Sequence, residues 1–227
     1  MFNNILLMRS SSGGGGTSNL EITVSSNTVE FNALTAAVAL GFDNSLTDDR
    51  IITVTINSGV TLSGSSGAFQ SGAIQQNTTL EVVNNGTITG ANGSVGSGGS
   101  NGAAGGIGII YSTVVGGTAT HSFINNGTIN GGGGGGGSEG RTTQRIDDGD
   151  GSYSCGGSTL IGSAGSAGSS GQTGGSGSFS GSSTSGDISE CTVFTPGSGG
   201  AGGASINWQS RTVSFTNNGT VNGTIVS

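Results

Sequence analysis

The chain has no Lys, a single Pro (Pro196) and a single His (His121), and only 7% of its 227 residues are charged. Each scarcity excludes something. Without Lys there is no Schiff-base chemistry, and one His leaves a nucleophilic triad few members. Asp48-Asp49 and Asp147-Asp148 are neighbours in sequence, whereas general acid–base work needs carboxylates facing across a cleft. The chain is therefore read as not an enzyme. Five Arg spread along the sequence and a net charge of −7 argue against nucleic acid and against an anionic membrane surface, since both demand clustered cations. No apolar run approaches the ~20 residues that span a bilayer.

Metal and cofactor signals are equally thin, and none is expected. With one His and no second Cys pair there is no metal-ligating set. No glycine repeat is followed by the Gly-Lys-Ser/Thr of a phosphate loop. A helix–loop–helix calcium pattern starting at Asp148 would place Tyr153 where a glycine is required, so the acidic stretch 147–150 reads as a solvated loop, with a looser calcium site as the alternative. Cys155 and Cys191 are a candidate disulfide, although two thiols do not establish an oxidising compartment. The opening Met1-Phe2-Asn3-Asn4-Ile5-Leu6-Leu7-Met8-Arg9 is apolar but short, and its cation follows the apolar stretch, the reverse of a secretory signal. It is expected to stay on, as a frayed start or as a docking peptide, with residues 1–16 forming an N-terminal peptide and linker.

What the chain has is glycine: 50 residues, far above the roughly 7% of ordinary chains. An apolar fraction of 30% supports a conventional core over only part of the length. Low apolar content usually means disorder, but disordered chains are rich in charge and Pro, and this one is not.

Two regimes are visible. Residues 17–90 read as a β-rich (α+β) domain. Leu20-Glu21-Ile22-Thr23-Val24 alternates as a strand does, and 51–56, 60–62 and 79–83 are dense in β-branched residues. The Ala-rich segment 31–40 ends at Gly41, which suits a short helix with a glycine stop. Residues 91–227 form the glycine-rich regime. Val83-Asn84-Asn85-Gly86-Thr87-Ile88-Thr89-Gly90 returns at 124–131 and 216–223, with starts 41 and then 92 residues apart. Each copy reads as strand, Asn-Asn-Gly turn, strand, with loops of variable length between copies. The Asn-Gly-Thr sequons within them are read as incidental.

Between the copies lie the glycine tracts 96–106, 131–137, 162–177 and 197–203. They are flexible linkers or rods. In the extended threefold helix every N–H and C=O points sideways, so rods without side chains can satisfy one another. Several tracts of similar length with almost no Pro or charge favour a bundle of polyglycine type II helices, and the expected fold is mostly β with this bundle attached. Segments 107–115, 141–155 and 178–196 interrupt the glycine. They carry the candidate recognition residues Ile109, Ile110, Tyr111, Arg141, Arg145, Tyr153, Phe179 and Phe194, because aromatic and Arg side chains anchor recognition surfaces and loops on a rigid frame carry specificity. For Tyr111, Phe179 and Phe194 the competing reading is a small core that caps the bundle.

The Asn-Asn-Gly-Thr-Ile copies and Gly-Gly tracts, following strands like 51–56 and 60–62, resemble the glycine-rich receptor-binding proteins at phage tail and tail-fibre tips. The distal adhesins of T-even-type phages are the relatives in style. The resemblance covers roughly residues 20–227. It implies a virion protein at the tail or tail-fibre tip that binds a bacterial outer-membrane protein or glycan through loops on a polyglycine scaffold. It also implies attachment to other tail proteins through the N-terminal region, either as a homotrimer or as a monomer on a trimeric fibre. The N-terminal peptide and helix depart from the family's attachment domain. The alternatives are a glycine-rich structural or ice-binding protein, and a flexible surface protein.

Overall fold

Alternating apolar and polar residues commit 20–24, 50–56 and 78–84 to strands with one buried face. The computed structural model of the chain describes residues 5–6, 19–45, 49–75, 77–112, 121–139, 141–147, 153–161, 165–166, 168–178 and 192–227. Within it the chain divides into two interleaved units. The first comprises Met1–Ala91, Gly106–Gly132 and Ala204–Ser227, and the second comprises Asn92–Gly105 and Gly133–Gly203.

The first unit winds as a coil of five rungs, each contributing one strand to each of three parallel sheets. The first rung is Leu20–Val24, Thr28–Val29 and Phe31–Asn32; the second is Arg50–Ile56, Thr61–Gly64 and Phe69–Gln70. The third is Thr78–Asn84, Thr87–Gly90 and Ile109–Ile110; the fourth is His121–Asn125, Thr128–Asn130 and Ile206–Asn207. Val213–Asn217, Thr220–Asn222 and Ile225–Val226 complete the fifth. Ile5–Leu6 adds an antiparallel strand beside Leu20–Val24.

Parallel in-register pairing stacks like on like. One inward column runs Ile22, Val54, Val82, Phe123, Phe215; another runs Leu62, Ile88, Ile129, Val221; a third runs Phe31, Phe69, Ile109, Ile206, Ile225. Most of these side chains are fully buried, at about 1.5–3 kcal/mol of transfer free energy each. The short helix Ala33–Ala39 follows the first rung and buries Ala33, Ala36 and Ala37. Asn32 caps its first turn by accepting from the Thr35 N–H at 2.9 Å. Gly41, at φ +88, ends it.

The Asn-Asn-Gly segments are corners between sheets rather than hairpin turns, and their glycines are not left-handed: Gly86, Gly127 and Gly219 are absent from the positive-φ positions. Glycine is needed there because the corners stack too closely for a side chain. A Cβ on Gly127 would lie closer than 3.0 Å to the Gly86 carbonyl oxygen, and one on Gly219 would meet Gly127 in the same way. The two Asn form two ladders. Asn84 Nδ2 donates to Asn125 Oδ1 and Asn125 Nδ2 to Asn217 Oδ1, both at 2.8 Å. Outside them, Asn218 Nδ2 donates to Asn126 Oδ1 and Asn126 Nδ2 to Asn85 Oδ1, both at 3.0 Å. The inner carboxamides also accept the N–H of Gly86, Gly127 and Gly219. Burying Asn84 and Asn125 completely is tolerable only because each amide is paired.

In the second unit, residues 133–138 of the seven-glycine run and the serine after it are all buried. Without side chains to pack, the run is held by its backbone. Gly93 donates to Gly133 and Gly96 to Gly136; Gly134 donates to Gln172 and Gly137 to Gly175; Gly135 donates to Ala103 and Ser138 to Ser100. Gly168 and Gly165 donate to Gly134 and Gly137, and Gly200 and Gly197 donate to Gly135 and Ser138. Partners recur every third residue, and successive residues of the run face different neighbouring tracts. A three-stranded antiparallel sheet, in the order Tyr153–Ile161, Arg141–Asp147, Thr192–Phe194, belongs to the same unit.

Two substitutions test these arrangements. Asn125→Ala orphans the Asn84 amide and the Gly127 N–H and is expected to destabilise by about 1–3 kcal/mol in denaturant unfolding, against about 1 kcal/mol or less for Asn126→Ala on the exposed ladder. Gly135→Ala forces a Cβ onto the Ser94 carbonyl and is expected to abolish amide-exchange protection over 133–138, while Ser198→Ala, at an exposed side chain, leaves it intact.

Candidate functional site

Segments that break the glycine pattern are where side chains able to recognise a ligand must come from. Five of the ten residues singled out from sequence come together on the antiparallel sheet of the second unit. The Thr-rich, β-branched character of 141–146 and 159–161 favours strands. Asp147 lies opposite Tyr153, Ile146 opposite Ser154, and Arg145 opposite Cys155. Pairing shifts between Thr143 and Arg145 and resumes with Thr143 opposite Thr159. Arg141 sits between Ile161 on one side and Phe194 on the other. The sheet thus places both Arg on its central strand, flanked by Tyr153 and Cys155 on one neighbour and Phe194 on the other. Phe179, Cys191 and the acidic residues Asp148 and Asp150 lie outside the described residues.

Ile109, Ile110 and Tyr111 take a different place. They form and follow the third strand of the third rung, in the first unit. Ile109 and Tyr111 have no exposed surface, so a receptor at the molecular surface reaches neither. They pack in the core of the first unit. Ile110 is half-buried and packs over Gly67, where any Cβ would strike its Cγ2 at 2.6 Å. Tyr111 belongs to a run of rings that sequence spacing did not reveal: its centroid lies 5.2 Å from Trp208 and 5.5 Å from His121, and Trp208 lies 5.6 Å from Phe215. No fixed interval separates these residues in the chain, so no periodic signal marks them.

The titratable groups of this cluster are poorly suited to proton transfer with solvent. Burial drives the Tyr111 phenol well above its ordinary range. His121 is 2% exposed, and its ring is pushed below its ordinary value, first by burial and then by the nearby positive charge of Arg211. Among the described residues, no group of three or more His, Cys, Asp or Glu gathers to hold a metal ion.

A protein-family model described as phage tail fibre adhesin Gp38 matches residues 19–226 of the chain. No curated protein and no solved structure matches it.

The buried imidazole has a consequence for pH. Unfolding returns His121 to about 6.5, so the unfolded state takes up a proton before the folded state does. Stability is expected to be full above about pH 6.5 and to fall as the pH drops through that value toward the lower folded one. Denaturant midpoints of the wild type should decline over this window, while His121→Phe should show a flatter profile there.

Proposed function

Because the chain belongs to the Gp38 family of phage tail fibre adhesins, we propose that its second unit is a polyglycine type II bundle whose non-glycine segments contact the bacterial receptor. The family places the protein in the tail fibre of the virion and gives it an adhesin's role. The single observation that carries the finer reading is the hydrogen bonding of residues 133–138, whose partners repeat every third residue and belong to five separate tract segments. Threefold extended helices have that repeat, and only glycine lets them approach so closely.

On this reading the recognition surface is built from segments 141–155 and 178–196. Arg141, Arg145, Tyr153 and Phe194 are brought to one sheet, and Phe179 adds to them in sequence. Segment 107–115 is set aside, because Ile109 and Tyr111 are core residues. The receptor is an outer-membrane protein or a surface glycan, bound by complementarity without bond cleavage. A planar guanidinium can pair bidentately with carboxylates or stack on aromatic or sugar faces, which suits either surface. The first unit and residues 1–16 are the portion held by the tail.

Exchanging 141–155 and 178–196 for those of a relative with another host should transfer adsorption to that host; unchanged host range would refute the assignment. Within the chain, Arg145→Ala is expected to weaken adsorption to the host by about tenfold or more, the effect of losing a recognition anchor, without lowering the melting temperature.

A further inference from the structure

Seven Asn-Gly dipeptides occur between residues 85 and 223: 85–86, 92–93, 101–102, 126–127, 130–131, 218–219 and 222–223. This dipeptide is the most prone to spontaneous deamidation, since glycine puts no side chain in the way of its own nitrogen. The backbone nitrogen of the glycine loses its proton to hydroxide and attacks the Asn Cγ. A C–N bond forms, the Cγ–Nδ2 bond breaks, and ammonia leaves after taking up a proton from water. Water then opens the cyclic imide to aspartate or isoaspartate. The step therefore needs a glycine N–H that is free to be deprotonated and to rotate toward the side chain.

Six of the seven glycines do not offer one. Gly86, Gly127 and Gly219 donate to the carboxamides of Asn84, Asn125 and Asn217 at 3.1, 3.3 and 3.3 Å. Gly93 donates to Gly133 O at 2.8 Å, Gly102 to Ser198 O at 2.9 Å, and Gly131 to Asn222 O at 3.0 Å. Gly223 alone has no hydrogen-bond partner for its N–H among the described residues. It is exposed, as is Asn222, and its φ of +124 lies in the region open to glycine. Asn222 and Gly223 belong to the rung at the end of the described sheets; Asn218 and Gly219 share that rung, but there the Asn217 carboxamide accepts the glycine N–H, and among the described residues nothing does so for Gly223.

We propose that Asn222–Gly223 is a modification site, the place where this chain deamidates. Its location gives the change structural weight. The Asn222 carbonyl accepts from the Gly131 N–H and from the Ser205 hydroxyl, and its Nδ2 donates to Asn130 Oδ1 at 2.8 Å. Gly131 and Ser205 are the points where the chain leaves the fourth rung after Thr128–Asn130 and returns to it before Ile206–Asn207. Next to them, Thr224 O accepts the N–H of both Ser205 and Ile206. An isoaspartate at 222 lengthens the backbone by one methylene, adds a negative charge and removes the donor to Asn130. It loosens the clasp that holds both ends of the 131–205 excursion.

The test is peptide mapping with fragmentation of the purified full chain, incubated in mildly alkaline buffer and sampled over days. Asp and isoaspartate are expected to accumulate first at Asn222, with the other six sites behind by about tenfold or more, since each must first release a hydrogen bond. The same incubation in concentrated urea should bring the seven rates together, showing that structure and not local sequence set the order. Gly223→Val should slow the change at 222 in both conditions. Equal rates at all seven sites in the native protein would overturn the proposal, as would Asn218 or any other site leading.

Discussion

Every buried backbone N–H and C=O needs a partner, and in this protein that requirement shapes both units more than apolar burial does. In the first unit the partner lies beside the equivalent residue one rung away, because the five rungs pair in parallel and in register in all three sheets. In the second it is a residue of a neighbouring tract, mostly glycine, serine or alanine, reached at every third residue of the central run. Side chains adapt to this spacing. Where rungs approach most closely, at the Asn-Asn-Gly corners, a Cβ is excluded at the glycine and a carboxamide is required at the asparagine. The first two rungs make the same corner with longer connections and can place Val24 and Ile56 at the position that Asn84, Asn125 and Asn217 occupy later. A two-residue corner leaves backbone donors with nowhere to turn, and Asn supplies the acceptor.

The strand at 20–24 was legible in its alternation, those at 51–56 and 79–83 in their β-branched residues, and the helix in its alanines and its Gly41 stop. Their partners were not. Period-two alternation reports that one face is buried, not which strand lies alongside. The three Asn-Asn-Gly copies announced a repeated element, but intervals of 41 and 92 residues hid the common rung beneath excursions of different length. The glycine of the motif was read as part of a turn between strands, whereas the structure uses its lack of volume at a corner. Ile109 and Tyr111 looked like loop residues because glycine surrounds them, yet Ile109 stacks between Phe69 and Ile206 across gaps with no common length. Of the candidate recognition residues, Arg141, Arg145, Tyr153 and Phe194 share one sheet, an association that sequence order alone did not contain.

Coils of stacked rungs accept insertions where the chain turns between sheets, since a loop there leaves the ladders on either side unbroken. Here the glycine tracts use that tolerance. The excursions 91–108 and 131–205 both depart after a strand of the second sheet and return to a strand of the third, in consecutive rungs. The ladders of the third, fourth and fifth rungs continue across them with unchanged register. A long addition thus costs the coil little, because the entropy of closing a loop grows only slowly with its length.

This separation of tasks bears on how an adhesin can vary. Residues 133–137 tolerate almost nothing: five different neighbours crowd five consecutive positions, and each would meet a Cβ with a backbone carbonyl. Among the described residues, the strands at 141–147 and 153–161 pair with each other and with 192–194 rather than with the tracts. On the proposed function, substitution in those strands changes the recognition residues while the backbone pairing of 133–138 is untouched. Under the proposed function, a frame held by main-chain hydrogen bonds is indifferent to the chemistry it carries, which is the property a recognition surface under pressure to change requires of its support.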